Sequence, residues 1–227
     1  IIFLSSIFVS YSLLKKIILF RIKINYVKEY FNFIKYNFAS STIKSLIVKL
    51  DIIILSYFSN PFLVGQFETI KKLFLPLNFI SPAISNVLFP KFSKYSLQKK
   101  IQKAKAIILK ASKIIIGLSI IYIILIFLFL KSFSELQNIE IKLSVFLILS
   151  IYYLLQTSIW WGNIYFQNFD FKFPLFTNMI FLFSTLIFTS ISFYIVDNKI
   201  LAISIGLLLS FLPSYFLGLR HLIKNKL

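Results

Sequence analysis

The sequence predicts an all-α transmembrane protein of about seven helices. Three observations carry that prediction. Charged residues make up only 14% of the chain and hydrophobic ones 59%, against about 25% and 45–50% in soluble domains. The mean hydropathy is +0.87. The apolar residues also gather into stretches close to the roughly 20 residues that a helix needs to cross the hydrocarbon core.

The expected spans are 1–20, 37–58, 63–89, 112–130, 143–166, 174–196 and 200–219. Residues 1–20 lack a basic start and a small-residue cleavage site, so they do not read as a removable leader. The chain opens on Ile1 rather than Met and is expected to be a fragment that starts inside a helix. Segment 63–89 is long and holds Pro76 and Pro82, so a bend is expected at those prolines. Pro61 and Pro174 stand at segment starts, where a missing N–H does no harm. Pro213 is expected to kink the last span.

Basic residues set the orientation. One side of the membrane receives Arg21, Lys23, Lys28 and Lys35, then the run from Lys91 to Lys110, then Arg220, Lys224 and Lys226. The other side receives Lys131, Glu135, Glu140, Lys142, Asp197 and Lys199, which cancel. Lys and Arg accumulate in cytoplasmic loops, so the lysine-rich side and the C-terminus are expected inside, in a bacterial cytoplasmic membrane. The net charge of +18 is therefore no sign of nucleic-acid binding.

Within KFSKYSLQKKIQKAKAIILK, Leu97, Ile101, Ala104 and Ile108 recur at helical spacing. This reads as a surface helix resting on anionic lipid headgroups, with Lys91–Lys113 as the contact. Trp160 and Trp161 are expected in the inner aromatic belt. His221 reads as a solvated tail residue.

The 37–58 segment holds more charge than a lipid-facing helix accepts. Each charge at the bilayer centre costs about 2.5–3.5 kcal/mol on insertion scales. On a helix, Asn37, Ser40, Lys44 and Asp51 form one stripe, and Ser41, Ser45, Lys49 and Ser56 a second beside it. Glu68 and Lys72 are an i,i+4 pair with Lys71 adjacent. Gln156, Asn163, Gln167 and Asp170 form another polar row, and Asn178, Thr185, Thr189 and Ser192 a further one. Either these groups tie helix to helix, or they line a water-filled cavity. In a cavity, Lys44, Lys49, Lys71 and Lys72 outnumber Asp51 and Glu68, which favours an anionic passenger.

The run KLDIIILSYFSNPFLVGQFETIKKL, followed by NVLFPKFSKY, resembles the oligosaccharide flippases of the polysaccharide-biosynthesis exporter family, within the multidrug/oligosaccharidyl-lipid/polysaccharide superfamily. The matching positions are Asp51, Val64, Gly65, Phe67, Phe89, Pro90 and Ser93, with Phe67 where that family usually has Tyr. The resemblance implies two pseudo-symmetric lobes. On that reading 1–20 is the last helix of the first lobe, 21–36 a cytoplasmic linker, and 37–227 a six-helix second lobe. The remainder of the first lobe would be a missing N-terminal partner from the same protein. The implied passenger is a polyprenyl-diphosphate-linked oligosaccharide moved by alternating access. Lys44 and Lys49 would meet its diphosphate or acidic sugars, and Asp51 would pair with Lys44 or titrate.

Related alternatives are a drug/cation antiporter and a peptidoglycan-precursor flippase. From other classes come a membrane glycan polymerase or ligase and a non-transporting scaffold. The chain has no cysteine and no recognisable nucleophile set, phosphate loop or metal-ligand cluster. No cofactor and no enzymatic activity are therefore expected.

Overall fold

The computed structural model describes residues 24–98, 100–137 and 141–224, apart from the side chains of 24–30, 81, 96, 101, 163, 167 and 224. The expected span 1–20 lies outside the described residues. Among them the regular elements are eight α-helices: α1 (Ile24–Phe58), α2 (Pro61–Leu73), α3 (Leu75–Leu97), α4 (Ile101–Gln137), α5 (Leu143–Ser158), α6 (Gly162–Phe169), α7 (Phe173–Ile195) and α8 (Lys199–Lys224).

The stretch 24–58 has no Gly and no Pro to stop a helix. The segment expected as a linker is accordingly helical from Ile24 and continuous with the span that follows. At 1.5 Å per residue, α1 is about 52 Å long, well beyond the roughly 30 Å of a hydrocarbon core. Asn60 then caps α2, its Oδ1 accepting the Leu63 N–H at 3.0 Å, and Pro61 takes the first helical position.

The bend expected at Pro76 and Pro82 falls instead at Phe74. There α2 and α3 meet at 51°. Pro76 has no N–H, and its ring crowds the carbonyl four residues back, which is that of Lys72. The chain responds by ending α2 at Leu73, three residues ahead of the proline. The Phe74 N–H turns back to the Lys71 and Lys72 carbonyls, and the Leu77 N–H bonds Phe74 O at 3.1 Å. Leu73 O is left without its helical donor, and the Tyr122 hydroxyl of α4 donates to it at 2.8 Å. Pro82 and Pro90 stay inside α3, which runs on to Leu97. Pro213 likewise lies inside α8, which continues to Lys224.

The lysine-rich stretch expected to lie on headgroups is built differently. Its first residues, to Leu97, end α3, and from Ile101 it forms the first turns of α4, one helix of 37 residues. Ala104 and Ile108 are buried against Phe92, Trp160 and Tyr165. Those two residues thus pack on protein, while Leu97, Lys103, Lys110 and Lys113 are exposed.

The expected span 143–166 is broken between α5 and α6. The Trp160 N–H bonds Thr157 O at 3.1 Å, and the Gly162 N–H bonds Ile159 O at 2.8 Å. A continuous helix would set the neighbouring rings of Trp160 and Trp161 about 100° apart. The turn buries both, to 1% and 2% exposure. They therefore sit in the core of the lysine-rich end rather than in a lipid-facing belt. The same break splits the polar row expected from Gln156 to Asp170.

His221 is not a free tail residue. It belongs to α8, its Nε2 lies 3.0 Å from Asp170 Oδ2, and its ring packs against Phe166 and Phe173.

Helices α7 and α8 form the closest pair. Ala202, Gly206 and Ser210 recur every four residues and are all buried. They let the α7 row of Thr185 and Thr189 approach closely, as small residues do in membrane helix pairs. A Cβ at position 206 would stand 2.6 Å from Thr189 Cα. The Thr185 and Thr189 hydroxyls bond carbonyls of their own helix, so burial leaves no donor stranded.

Helices α4, α7 and α8 are each long and apolar enough to cross a membrane, and α2 with α3 makes a fourth span if the bent pair counts as one. The charges of α1 and the 16 residues of α5 keep those two from meeting the same criterion alone. The protein is an all-α, multi-pass membrane protein. One apolar core joins α1, α2, the start of α3, α5, α7 and α8; a second, around Trp160 and Trp161, closes the lysine-rich end.

Candidate functional site

One charged residue of α1 and two of α2, Asp51, Glu68 and Lys71, meet in one cluster. Asp51 lies about 10 Å from the Phe58 end of α1 at 1.5 Å per residue. Lys71 lies in the last turn of α2, just before the break at Phe74. Lys71 Nζ is 2.5 Å from Asp51 Oδ2, and the two side chains are 17% and 6% exposed. Glu68, one turn earlier on α2, holds Oε1 at 3.6 Å from the same ammonium. The Phe67 ring centroid is 5.6 Å from it. The other carboxylate oxygen, Oδ1, accepts the Ile52 N–H at 2.8 Å.

This placement has physical reasons on both helices. On α1, Ser40, Ile47, Asp51, Ile54 and Leu55 form the buried face, so packing against the bundle carries Asp51 inward. On α2, the break exposes the last carbonyls, and a cation in the last turn is favoured by their partial negative charge. Phe74 stacks on Tyr153 at 4.9 Å with 6° between the planes, which fixes the break against α5.

Asp51 pairs with Lys71 and not with Lys44. Lys44 sits seven residues away on the same helix, an axial offset of about 10 Å that a lysine cannot bridge to so short an acid. Lys49 is further removed: at 100° per residue it lies about 160° around α1 from Asp51. Lys44, Lys49 and Lys72 are exposed, and among the described residues none of them forms an ion pair.

The polar residues divide similarly. The Asn178 Nδ2 donates to Ser40 Oγ at 2.9 Å and Ser40 O at 3.1 Å, so two expected cavity residues bond each other across α1 and α7. Ser41, Ser45 and Ser56 are exposed but donate to carbonyls of their own helix, and such serines need no water. Asn37 is half-buried. The Gln156 amide oxygen is buried and has no hydrogen-bond partner among the described residues. The Asn163 side chain lies outside the described residues. Gly65 is exposed, with nothing within 4 Å of where a Cβ would be.

The chemistry available is therefore electrostatic: one neutralised carboxylate–ammonium pair, a second acid beside it, and three lysines without acidic partners among the described residues. Among the described residues no three His, Asp or Glu side chains gather as a metal ion would require. Tyr122, Gln66 and Asn198 were not singled out in the sequence, and Lys142 and Lys199 were read there only as orientation charges. Pro76 could have pointed to Tyr122, because a proline in a membrane helix frees a carbonyl that another donor must satisfy.

A family described as polysaccharide biosynthesis protein matches residues 2–116, just over half of the chain. The match takes in α1, α2, α3 and the start of α4, and with them every charged residue of this cluster. No curated protein and no solved structure matches the chain.

Proposed function

Because the chain belongs to this polysaccharide biosynthesis protein family, we propose that it serves to carry a polyprenyl-diphosphate-linked oligosaccharide from the inner to the outer leaflet of the cytoplasmic membrane. The observation that carries the reading is the cationic surplus on the exposed faces of α1 and α2. Asp51 is taken up by Lys71, which leaves Lys44, Lys49 and Lys72 unmatched among the described residues. A lysine facing lipid at this depth costs about 2.5–3.5 kcal/mol. That cost disappears if the face looks onto water and an anionic passenger.

On this reading the exposed face of α1 borders a cavity shared with a second lobe, and the two lobes rock to open it alternately to either side. The lysines attract the diphosphate or acidic sugars, while the prenyl chain stays in the bilayer. The protein acts as a carrier without covalent catalysis, and its lysine-rich end and C-terminus face the cytoplasm. A drug/cation antiporter would favour acids over lysines on such a face, and the balance here runs the other way.

The test is Lys49→Ala in the complete protein. Export of lipid-linked glycan should fall at least tenfold while membrane abundance is unchanged. Normal export in that variant would remove the α1 lysines from the mechanism and the reading with them.

A further inference from the structure

A pocket of about 270 Å³ opens at the end of the bundle opposite the lysine-rich one. Three helix starts meet there. Helix α2 contributes Leu63, Gln66 and Ile70, the start of α5 contributes Lys142 and Val145, and the start of α8 contributes Asp197, Asn198, Lys199 and Ile200. The apolar residues form a floor, and five polar side chains surround it. Two are cationic, one is anionic and two are amides.

The polar groups are largely uncommitted. The Asn198 Oδ1 accepts the Leu201 N–H at 2.9 Å, which leaves its Nδ2 to donate elsewhere. Lys199 makes one long bond, 3.4 Å, to Phe193 O, and its ammonium lies 5.8 Å from the Phe193 ring centroid. Among the described residues, Lys142 and Asp197 form no ion pair. The cluster of Asp51, Lys71 and Glu68 uses none of the pocket's polar residues. A neutral sugar would need only amides and an acid, and a bare anion only the lysines. Here donors, an acceptor and two cations surround one small volume, just below the usual size of a small-molecule site.

The geometry points to a binding site for a single acidic sugar unit. Lys142 and Lys199 hold its carboxylate, Asp197 accepts from its hydroxyls, and Gln66 and Asn198 donate to them. The inference rests on the proposed carrier reading only for the source of that sugar, the glycan arriving at the far side of the membrane.

The chain has no cysteine, so Leu63→Cys gives a single reporter in the pocket wall. The protein is placed in phosphatidylcholine vesicles and labelled with a membrane-impermeant maleimide. For a Kd of about 1 mM, glucuronate at about 10 mM should slow labelling roughly tenfold, and glucose should not. Protection should vanish in Lys142→Ala and Lys199→Ala and persist in Lys142→Arg, which separates lost charge from lost folding. Absence of protection by glucuronate overturns the inference. Equal protection by inorganic phosphate overturns the sugar class, and protection by anionic lipid alone makes the occupant a headgroup. Glycan export measured in the same variants keeps the two readings apart. Protection without export leaves this site standing and removes the carrier reading, while export without protection does the reverse.

Discussion

Lys71 of α2 closes to 2.5 Å on Asp51 of α1, two residues 20 apart in sequence on helices joined by a tight turn. The acid two turns from the end of the first described helix is thus neutralised by the helix that follows, at the point where that helix breaks. Removing one partner of a buried pair costs about 3–5 kcal/mol, whereas removing both can be nearly neutral. Asp51→Asn and Lys71→Met should each lower the melting temperature in detergent markedly. The double variant should lose less than either alone. Additive losses would show that the pair does not hold α1 to α2.

Tyr122 and Leu73 offer a second test. The Tyr122 hydroxyl satisfies the Leu73 carbonyl, which the break before Pro76 leaves without its helical donor. Tyr122→Phe should therefore cost about 1 kcal/mol, the low end for an acceptor left unpaired, because the pair is only half-buried. In a Pro76→Ala background the helix can continue and Leu77 N–H can reach Leu73 O. The cost of losing the hydroxyl should then shrink to a few tenths, about the difference for an acceptor already satisfied. Thermal unfolding of the four variants decides it.

Glycines separate by what surrounds them. Gly206→Ala drives a Cβ into Thr189 backbone at 2.6 Å, and overpacking of this kind costs about 1–3 kcal/mol or more. Gly65→Ala and Gly218→Ala meet nothing within 4 Å and should be neutral or slightly stabilising. The yield of folded, monodisperse protein ranks the three. A tolerated Gly206→Ala would refute the close α7–α8 contact.

The two tryptophans provide an optical readout. Both are buried, and Trp160 Nε1 donates to Ser112 Oγ at 2.9 Å. Emission should be blue-shifted and barely quenched by lipids brominated near the headgroup. Strong quenching would return the rings to a lipid-facing belt. Trp160→Phe should release the Ser112 bond at a cost of about 1 kcal/mol.

Part of this architecture was legible in the residues. The apolar stretches announce α4, α7 and α8, and the Lys44–Lys72 region announces where charge enters the bundle. The helix breaks were less legible. Pro76 signals one, but its position at Phe74 depends on which carbonyl finds another donor. Gly162, where a Cβ would stand 3.0 Å from Ile159 Cγ2, is a faint local signal of the turn at 159–161; its gain, the simultaneous burial of two adjacent rings against Phe92, Ala104 and Ile108, is not local.

By itself the sequence determined the solvent of this protein and the distribution of its charges: a membrane, helices, one basic end, and more lysines than acids beside α1. Those follow from composition and from the 3.6-residue period, which are properties of a chain read along one dimension. Only the tertiary structure decided that Asp51 meets Lys71 and that Asn178 meets Ser40. A pairing depends on where two helices cross and on which face each one buries. That is set by side-chain packing between segments far apart in the chain, which no local period records.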